Sequence, residues 1–256
     1  MKERPSFPAR MPASVSAKIA KPSALRNLPQ GLGMDSSAVR RRMVEKLMAQ
    51  GLSDLWVQQA MGAVERHRFV DSGLANQAYE DTSLPIGLGQ TISKPSVVAR
   101  MFELLRKGVD GRLGRVLEIG TGCGYQAAVL SHLATDVYSI ERLRGLHDKA
   151  RENLRPLRLA TVHLLFGDGM LGYPAGAPYA GIIAAAGGEA IPQAWIDQLA
   201  VGGRLIAPVV GKVNSADLKT GTTQGQSLMV LDKTAQGVRQ TVLEAVHFVP
   251  LKSGVA

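Results

Sequence analysis

The residues of this chain whose types and spacing could do chemistry fall in three short stretches. Val116-Leu-Glu-Ile-Gly-Thr-Gly-Cys-Gly124 is an apolar strand that ends in Gly120, Gly122 and Gly124 and enters a helix at Tyr125. Glycine has no Cβ, so a turn of this kind lets a ligand approach the backbone closely. A nicotinamide dinucleotide site needs its third glycine one residue later, where helix and strand close together and a pyrophosphate is admitted. Position 125 is tyrosine, so the spacing points to a ligand without a pyrophosphate.

Two carboxylates extend the pattern. Glu141 closes the next apolar strand about 20 residues past the glycine turn, where doubly wound folds place an acid that accepts the ribose hydroxyls. Asp168, within Gly167-Asp168-Gly169, follows the third strand and is placed to accept a hydrogen bond from an adenine amino group. Alone, either acid reads as a helix cap or a solvated turn. With the glycines they outline an adenosine pocket. No hydrolytic or metal constellation goes with it: His67, His132, His147, His163 and His247 contain no i,i+4 pair, so no metal site is expected. Cys123, the one cysteine, has no activating neighbour in the sequence and is expected to be a small side chain under the ligand.

A regular scaffold must present these stretches. Arg115–Ile119, Val137–Ile140, Val162–Phe166, Tyr179–Ala184 and Arg204–Val210 read as strands, with helices near 125–133, 143–154 and 192–199 between them. Ser227–Leu231 and Val238–Phe248 read as a closing antiparallel pair. The alternation predicts an α/β fold, with a doubly wound, mostly parallel seven-stranded Rossmann-like sheet. Upstream, Val39, Met43, Leu47 and Met48 recur at helical spacing, with Asp35 or Ser36 as N-cap and Gly51 as stop. A second helix, capped by Ser53, follows, and residues 35–80 are expected to form an N-terminal helical cap. The stretch Leu84–Pro95 carries two glycines and two prolines and is expected to be a loop, with Pro95 opening a helix that runs to Leu105.

Composition narrows the function classes. With 45% hydrophobic residues the chain can bury one sizeable core. Its longest apolar runs, such as Ile182–Ala186, fall far short of the roughly 20 residues that span a bilayer. A cytoplasmic protein without a membrane partner is expected, and a monomer. The net charge of +9 is weighted to the front, where Lys2, Arg4, Arg10, Lys18, Lys21 and Arg26 face Glu3 alone. Residues 1–34, rich in proline, serine and basic side chains, are expected to be a disordered tail before a catalytic domain at 35–256. The body is mildly basic and aromatics make up 5% of the chain, which speaks against a nucleic-acid surface.

Several further stretches carry a family resemblance. Pro85-Ile-Gly-Leu-Gly-Gln-Thr-Ile-Ser93, Glu118-Ile-Gly-Thr-Gly-Cys-Gly-Tyr-Gln126, Gly167-Asp-Gly-Met-Leu-Gly-Tyr173 and Val246-His-Phe-Val-Pro-Leu251 are similar to motifs of the protein-L-isoaspartate O-methyltransferases, a branch of the class I S-adenosylmethionine-dependent methyltransferases. The resemblance covers about residues 36 to 252. It implies S-adenosylmethionine as cofactor and damaged proteins or peptides bearing L-isoaspartyl residues as substrates. By resemblance Ile92, Gly120, Gly122, Gly124, Glu141, Asp168 and Gly169 contact the cofactor and Glu118 supports its methionine end. Ser93 is the catalytic position facing the methyl acceptor, and backbone near Val249 helps to hold the substrate carboxylate. The chain departs from the family pattern at Lys94, Ser96 and Ala180. Two alternatives stay open: a methyltransferase that uses the same cofactor on another substrate and, because of these departures, a non-catalytic cofactor-binding homologue.

Overall fold

Among the described residues short helices come first, because apolar residues recur at helical spacing from Val39 onward. In the computed structural model, which describes residues 37–211 and 225–256, α1 spans Ser37–Ala49 and α2 spans Leu55–Ala63. Gly51, at φ +108°, ends the first of them, as its position in the sequence suggests. The second is capped by Asp54, which accepts from the Val57 N–H at 3.0 Å, and not by Ser53. Ser53 is otherwise engaged: its N–H and hydroxyl both donate to Glu103. Two 3₁₀ turns, Arg66–Phe69 and Ser72–Gln77, complete the cap. The expected tail at 1–34 and the expected caps Asp35 and Ser36 lie outside the described residues.

The stretch expected to be a loop is a β-hairpin, β1 (Leu84–Gly87) paired antiparallel with β2 (Gln90–Ile92). Its glycines form the tip, where Gly87, Leu88 and Gly89 all take positive φ, and buried Leu84, Ile86 and Ile92 anchor its arms. Turn residues and strand residues are interleaved within nine positions, which hid the hairpin from a reading by composition. Pro95 then occupies the first turn of α3 (Pro95–Arg106), where its missing N–H costs no hydrogen bond.

From here strands and helices alternate: β3 (Leu113–Ile119), α4 (Tyr125–Leu133), β4 (Ala134–Glu141), α5 (Arg144–Leu154), β5 (Val162–Phe166), β6 (Tyr179–Ala184), α6 (Gln193–Gln198), β7 (Leu199–Gly211), β8 (Gly225–Thr234) and β9 (Gly237–Val246). The seven-stranded sheet has the order β5-β4-β3-β6-β7-β8-β9. β8 runs antiparallel to both of its neighbours, so β9 returns to the common direction. β3 lies between β4 and β6, and its residues Val116, Leu117 and Ile119 are buried. α4 is buried at every position except His132, because the sheet covers one side of it and α2 another. The strand order reverses direction at β3, with the chain going first to β4 and β5 and later to β6 and β7. That switch point opens a crevice at the carboxyl ends of the strands, where ligands bind in sheets of this kind.

Candidate active site

The glycine turn sits in that crevice. Gly120, Gly122 and Gly124 have φ of +90°, +56° and +91°, a region that other residues enter only under strain. The N–H groups of Gly120 and Thr121 both donate to the Ile140 carbonyl, at 2.9 and 3.2 Å, which stitches the turn to β4. A Cβ on Gly122 would stand 3.1 Å from Ile86 Cδ1, so this glycine lets the hairpin close on the turn. A Cβ on Gly124 would stand 3.0 Å from Leu154 Cδ1, so this one serves the packing of α4 against α5.

The cavity at this point has a volume of about 440 Å³, within the range of small-molecule sites. One wall is the glycine turn and Glu141. Glu141 Oε2 accepts from the Gly122 N–H and Oε1 from the Leu143 N–H, both at 2.9 Å, and each oxygen keeps lone pairs for a ligand. The side chain is buried, so its two backbone donors hold it in a fixed position. The opposite wall is the hairpin, with Ile86, Leu88 and Ile92, followed by Ser93. Val249–Lys252 and Ala185–Ala186 close the remaining side. Gly187 binds this closing segment to the sheet, donating to the Val249 carbonyl and accepting from the Leu251 N–H, each at 2.8 Å.

Of the positions singled out in the sequence, Ile92, Ser93, Gly120, Gly122, Glu141, Gly169 and Val249 line this one cavity. Glu118, Gly124 and Asp168 stand behind its walls. Glu118 is fully buried and accepts from Ser139 Oγ and from Gln126 Nε2, the latter at 3.3 Å. Burial pushes its carboxyl up to about 7, against the opposing pull of these two hydrogen bonds. Asp168 Oδ1 accepts from the Met170 N–H at 2.9 Å, and Oδ2 from the Gly254 N–H at 2.6 Å. Cys123 lines the cavity from below, and burial pushes its thiol up to about 11, so it is a neutral side chain and not a nucleophile. Lys94, Ser96 and Ala180 are not among the lining residues. Ala180 lies on β6 and faces Gly114 of β3.

Some lining residues escaped the sequence reading. Gln126 borders the cavity, and its Oε1 is buried without a hydrogen-bond partner. Its place one residue into a helix after a glycine turn was the available signal. Leu88 and Gln90 belong to the hairpin, which had been expected to be a loop. No group of three metal-ligating side chains occurs among the described residues, and no helix there is long and apolar enough to cross a membrane.

A mostly parallel sheet with a glycine turn at its switch point and a carboxylate closing the adjacent strand defines an α/β protein built to hold a nucleoside-like cofactor. Residues 38–256 match the family described as Protein-L-isoaspartate(D-aspartate) O-methyltransferase. A protein-L-isoaspartate O-methyltransferase of Methylibium petroleiphilum is 61% identical over 228 residues, covering 88% of this chain and 81% of its own length. One from Leptothrix cholodnii is 56% identical over 254 residues, covering 98% of this chain and 85% of its own. A solved protein-L-isoaspartate O-methyltransferase superimposes with a TM-score of 0.72 at 29% identity, covering 84% of this chain and 67% of that one. The chain belongs to the protein-L-isoaspartate(D-aspartate) O-methyltransferase family.

Proposed function

We propose that this protein methylates the α-carboxylate of L-isoaspartyl residues in damaged proteins, using S-adenosylmethionine as the methyl donor. The observation that carries this reading is one cavity in which the glycine turn and Glu141 face Ser93 and Val249. When bound there, S-adenosylmethionine supplies a methyl group made electrophilic by its sulfonium. The residues present fit it. Glu141 has lone pairs for a ribose diol, Gly120 and Gly122 leave room along the backbone, and Ile92 adds an apolar contact. The unpartnered Gln126 Oε1 can accept from an ammonium at the methionine end, with Glu118 supporting it from behind. Asp168 and Gly169 belong to the adenine end.

The acceptor half needs no general base, because a carboxylate with a pKa near 4 is ionised at neutral pH. What it needs is aim and dryness. The Ser93 hydroxyl makes no hydrogen bond among the described residues and can donate to one acceptor oxygen. Backbone at Val249 holds the carboxylate from the other side. Buried Ile86 and Ile92 keep water from the reacting atoms, which favours a step in which opposite charges cancel. An isoaspartyl and an aspartyl carboxylate carry the same charge, so the two are separated by reach alone. The protein is read as a cytoplasmic monomer that binds neither nucleic acid nor membrane.

The experiment is methyl incorporation from labelled S-adenosylmethionine into an L-isoaspartyl peptide and its L-aspartyl twin. Efficient transfer to the first and little to the second is expected. Equal transfer to both, or transfer to nucleic acid alone, overturns the substrate and leaves the family.

A further inference from the structure

Two arginines are buried among the described residues, and they are treated differently by their surroundings. Arg106 pairs with Asp54 at 3.0 Å. Arg66 has no carboxylate within ion-pair distance, although it is fully buried in the first 3₁₀ turn of the helical cap. Its Nε donates to the Ala78 carbonyl and its Nη2 to the Ser93 carbonyl, each at 2.7 Å. Nη1 makes no hydrogen bond of good geometry; the guanidinium carbon lies 4.8 Å from the centre of the Tyr125 ring, and the neutral Tyr125 phenol and the more distant Asp81 give the cation partial support.

The groups facing this cation do not neutralise it. Burial pushes the Tyr125 phenol up to about 12 and the Cys123 thiol up to about 11, so both stay uncharged, and Tyr79 is also held above its ordinary value. Asp81 is exposed and accepts from the Ser96 N–H. A buried charge without a counterion is costly, and two backbone carbonyls offset only part of that cost. Three residues in contact with Arg66 or beside it, Ser93, Tyr125 and Cys123, also line the cavity. An anion in the cavity would therefore supply the missing opposite charge.

We propose that Arg66 is a positioning residue of the acceptor subsite. It fixes the backbone at Ser93, just past β2, through the carbonyl, and its uncompensated charge draws the acceptor carboxylate in and keeps it ionised. This rests on the acceptor being a carboxylate, as proposed above. Desolvation lowers the guanidinium pKa, as expected for a cation buried without an anion.

The test uses Arg66→Gln and Arg66→Lys in the full chain, with an isoaspartyl peptide as acceptor. R66Q should lose about 100-fold in kcat/KM, mostly through KM, with cofactor affinity by calorimetry unchanged. The acid limb of its kcat profile should move to higher pH, because the bound carboxylate is no longer held ionised by a cation. R66K should recover most of the loss. A merely structural prop would weaken cofactor and peptide together and leave the acid limb in place, and that outcome overturns the proposal, as does unchanged KM in R66Q. Acetate probes the same subsite in the unmodified protein without any risk of misfolding: it should compete with peptide and not with cofactor, and failure to compete overturns the proposal. Absence of peptide turnover by the unmodified protein defeats the acceptor assignment and Arg66 with it. Turnover that R66Q retains defeats Arg66 alone.

Discussion

The two walls of the cavity are built by different means. The wall proposed for the cofactor is local: β3, its glycine turn and Glu141 at the end of β4 lie within 30 residues and are joined by hydrogen bonds from the turn's N–H groups to the Ile140 carbonyl and the Glu141 carboxylate. The wall proposed for the acceptor is assembled from segments far apart in the chain, namely Ser93, Ala185–Ala186 and Val249–Lys252. Their alignment depends on long-range contacts from Arg66 to Ser93, Gly187 to Val249 and Gln226 to Phe248. A wall made by one turn is fixed as soon as its strands pair. A wall made by three segments can be loosened one tie at a time, so substitutions in the two should separate cofactor affinity from acceptor recognition.

The largest separation is expected from Ser93→Ala. Removing one oriented donor should lower turnover of an isoaspartyl peptide by about 10- to 1000-fold while cofactor affinity stays at the wild-type level. A matching fall in cofactor affinity would show that the walls are not independent. On the cofactor side, the leading effect concerns Glu118, whose carboxyl is raised by burial from 4.5 to about 7. Between these values the folded chain holds a proton that the unfolded chain has lost. Its contribution is therefore complete below about 4.5 and is lost as pH rises through about 7, amounting to about 3 kcal/mol. Denaturant unfolding from pH 4.5 to 8 should show this slope, and Glu118→Gln should flatten it. An unchanged slope would place the titration elsewhere.

The same division decided what could be read from the sequence. Strand and helix periods, the glycine turn and Glu141 are local features, and β5, β6 and α4 fall where their apolar runs place them. Gly120, Gly122 and Glu141 were legible because doubly wound sheets bring strand ends to the ligand. Ser93 and Val249 came only through family resemblance, since nothing in their neighbourhoods says that they meet. The hairpin was misread because its tip glycines dominated a short window. Nothing in the sequence around Arg66 marks it, since its burial is a property of the assembled cap. Gly124 and Gly122 look alike in sequence, yet one faces Leu154 and the other Ile86.

Glu141→Ala tests the local wall directly. It removes the acceptor expected for the ribose and leaves the N–H groups of Gly122 and Leu143 without their carboxylate. Cofactor binding should weaken by about 1 to 3 kcal/mol by calorimetry, the range for polar groups left unsatisfied. The KM for peptide at saturating cofactor should hardly change. Unchanged cofactor affinity would remove Glu141 from the site.

The smallest effect is expected where the distributed wall has a spare tie. Gln226, on β8, clamps the Phe248 backbone from both sides: its Oε1 accepts from the Phe248 N–H at 2.7 Å and its Nε2 donates to the Phe248 carbonyl at 3.1 Å. The same amide packs against Gly187, where a Cβ would come within 2.5 Å of Nε2. Gln226→Ala releases Phe248 but leaves both hydrogen bonds between Gly187 and the Val249–Leu251 segment. The segment should therefore loosen without leaving. Two neutral hydrogen bonds lost at a part-buried site correspond to about 1 to 2 kcal/mol. The KM for an isoaspartyl peptide should rise by about 10-fold, with cofactor affinity and the peptide-saturated kcat close to wild type. A fall in cofactor affinity of the same size would mean that strain passes from Gly187 through Ala185 to Ile119 and into the glycine turn, since the Ala185 N–H donates to the Ile119 carbonyl at 2.8 Å. In that case the walls share one mechanical element, and the substitutions at Ser93 and Glu141 should prove non-additive when combined.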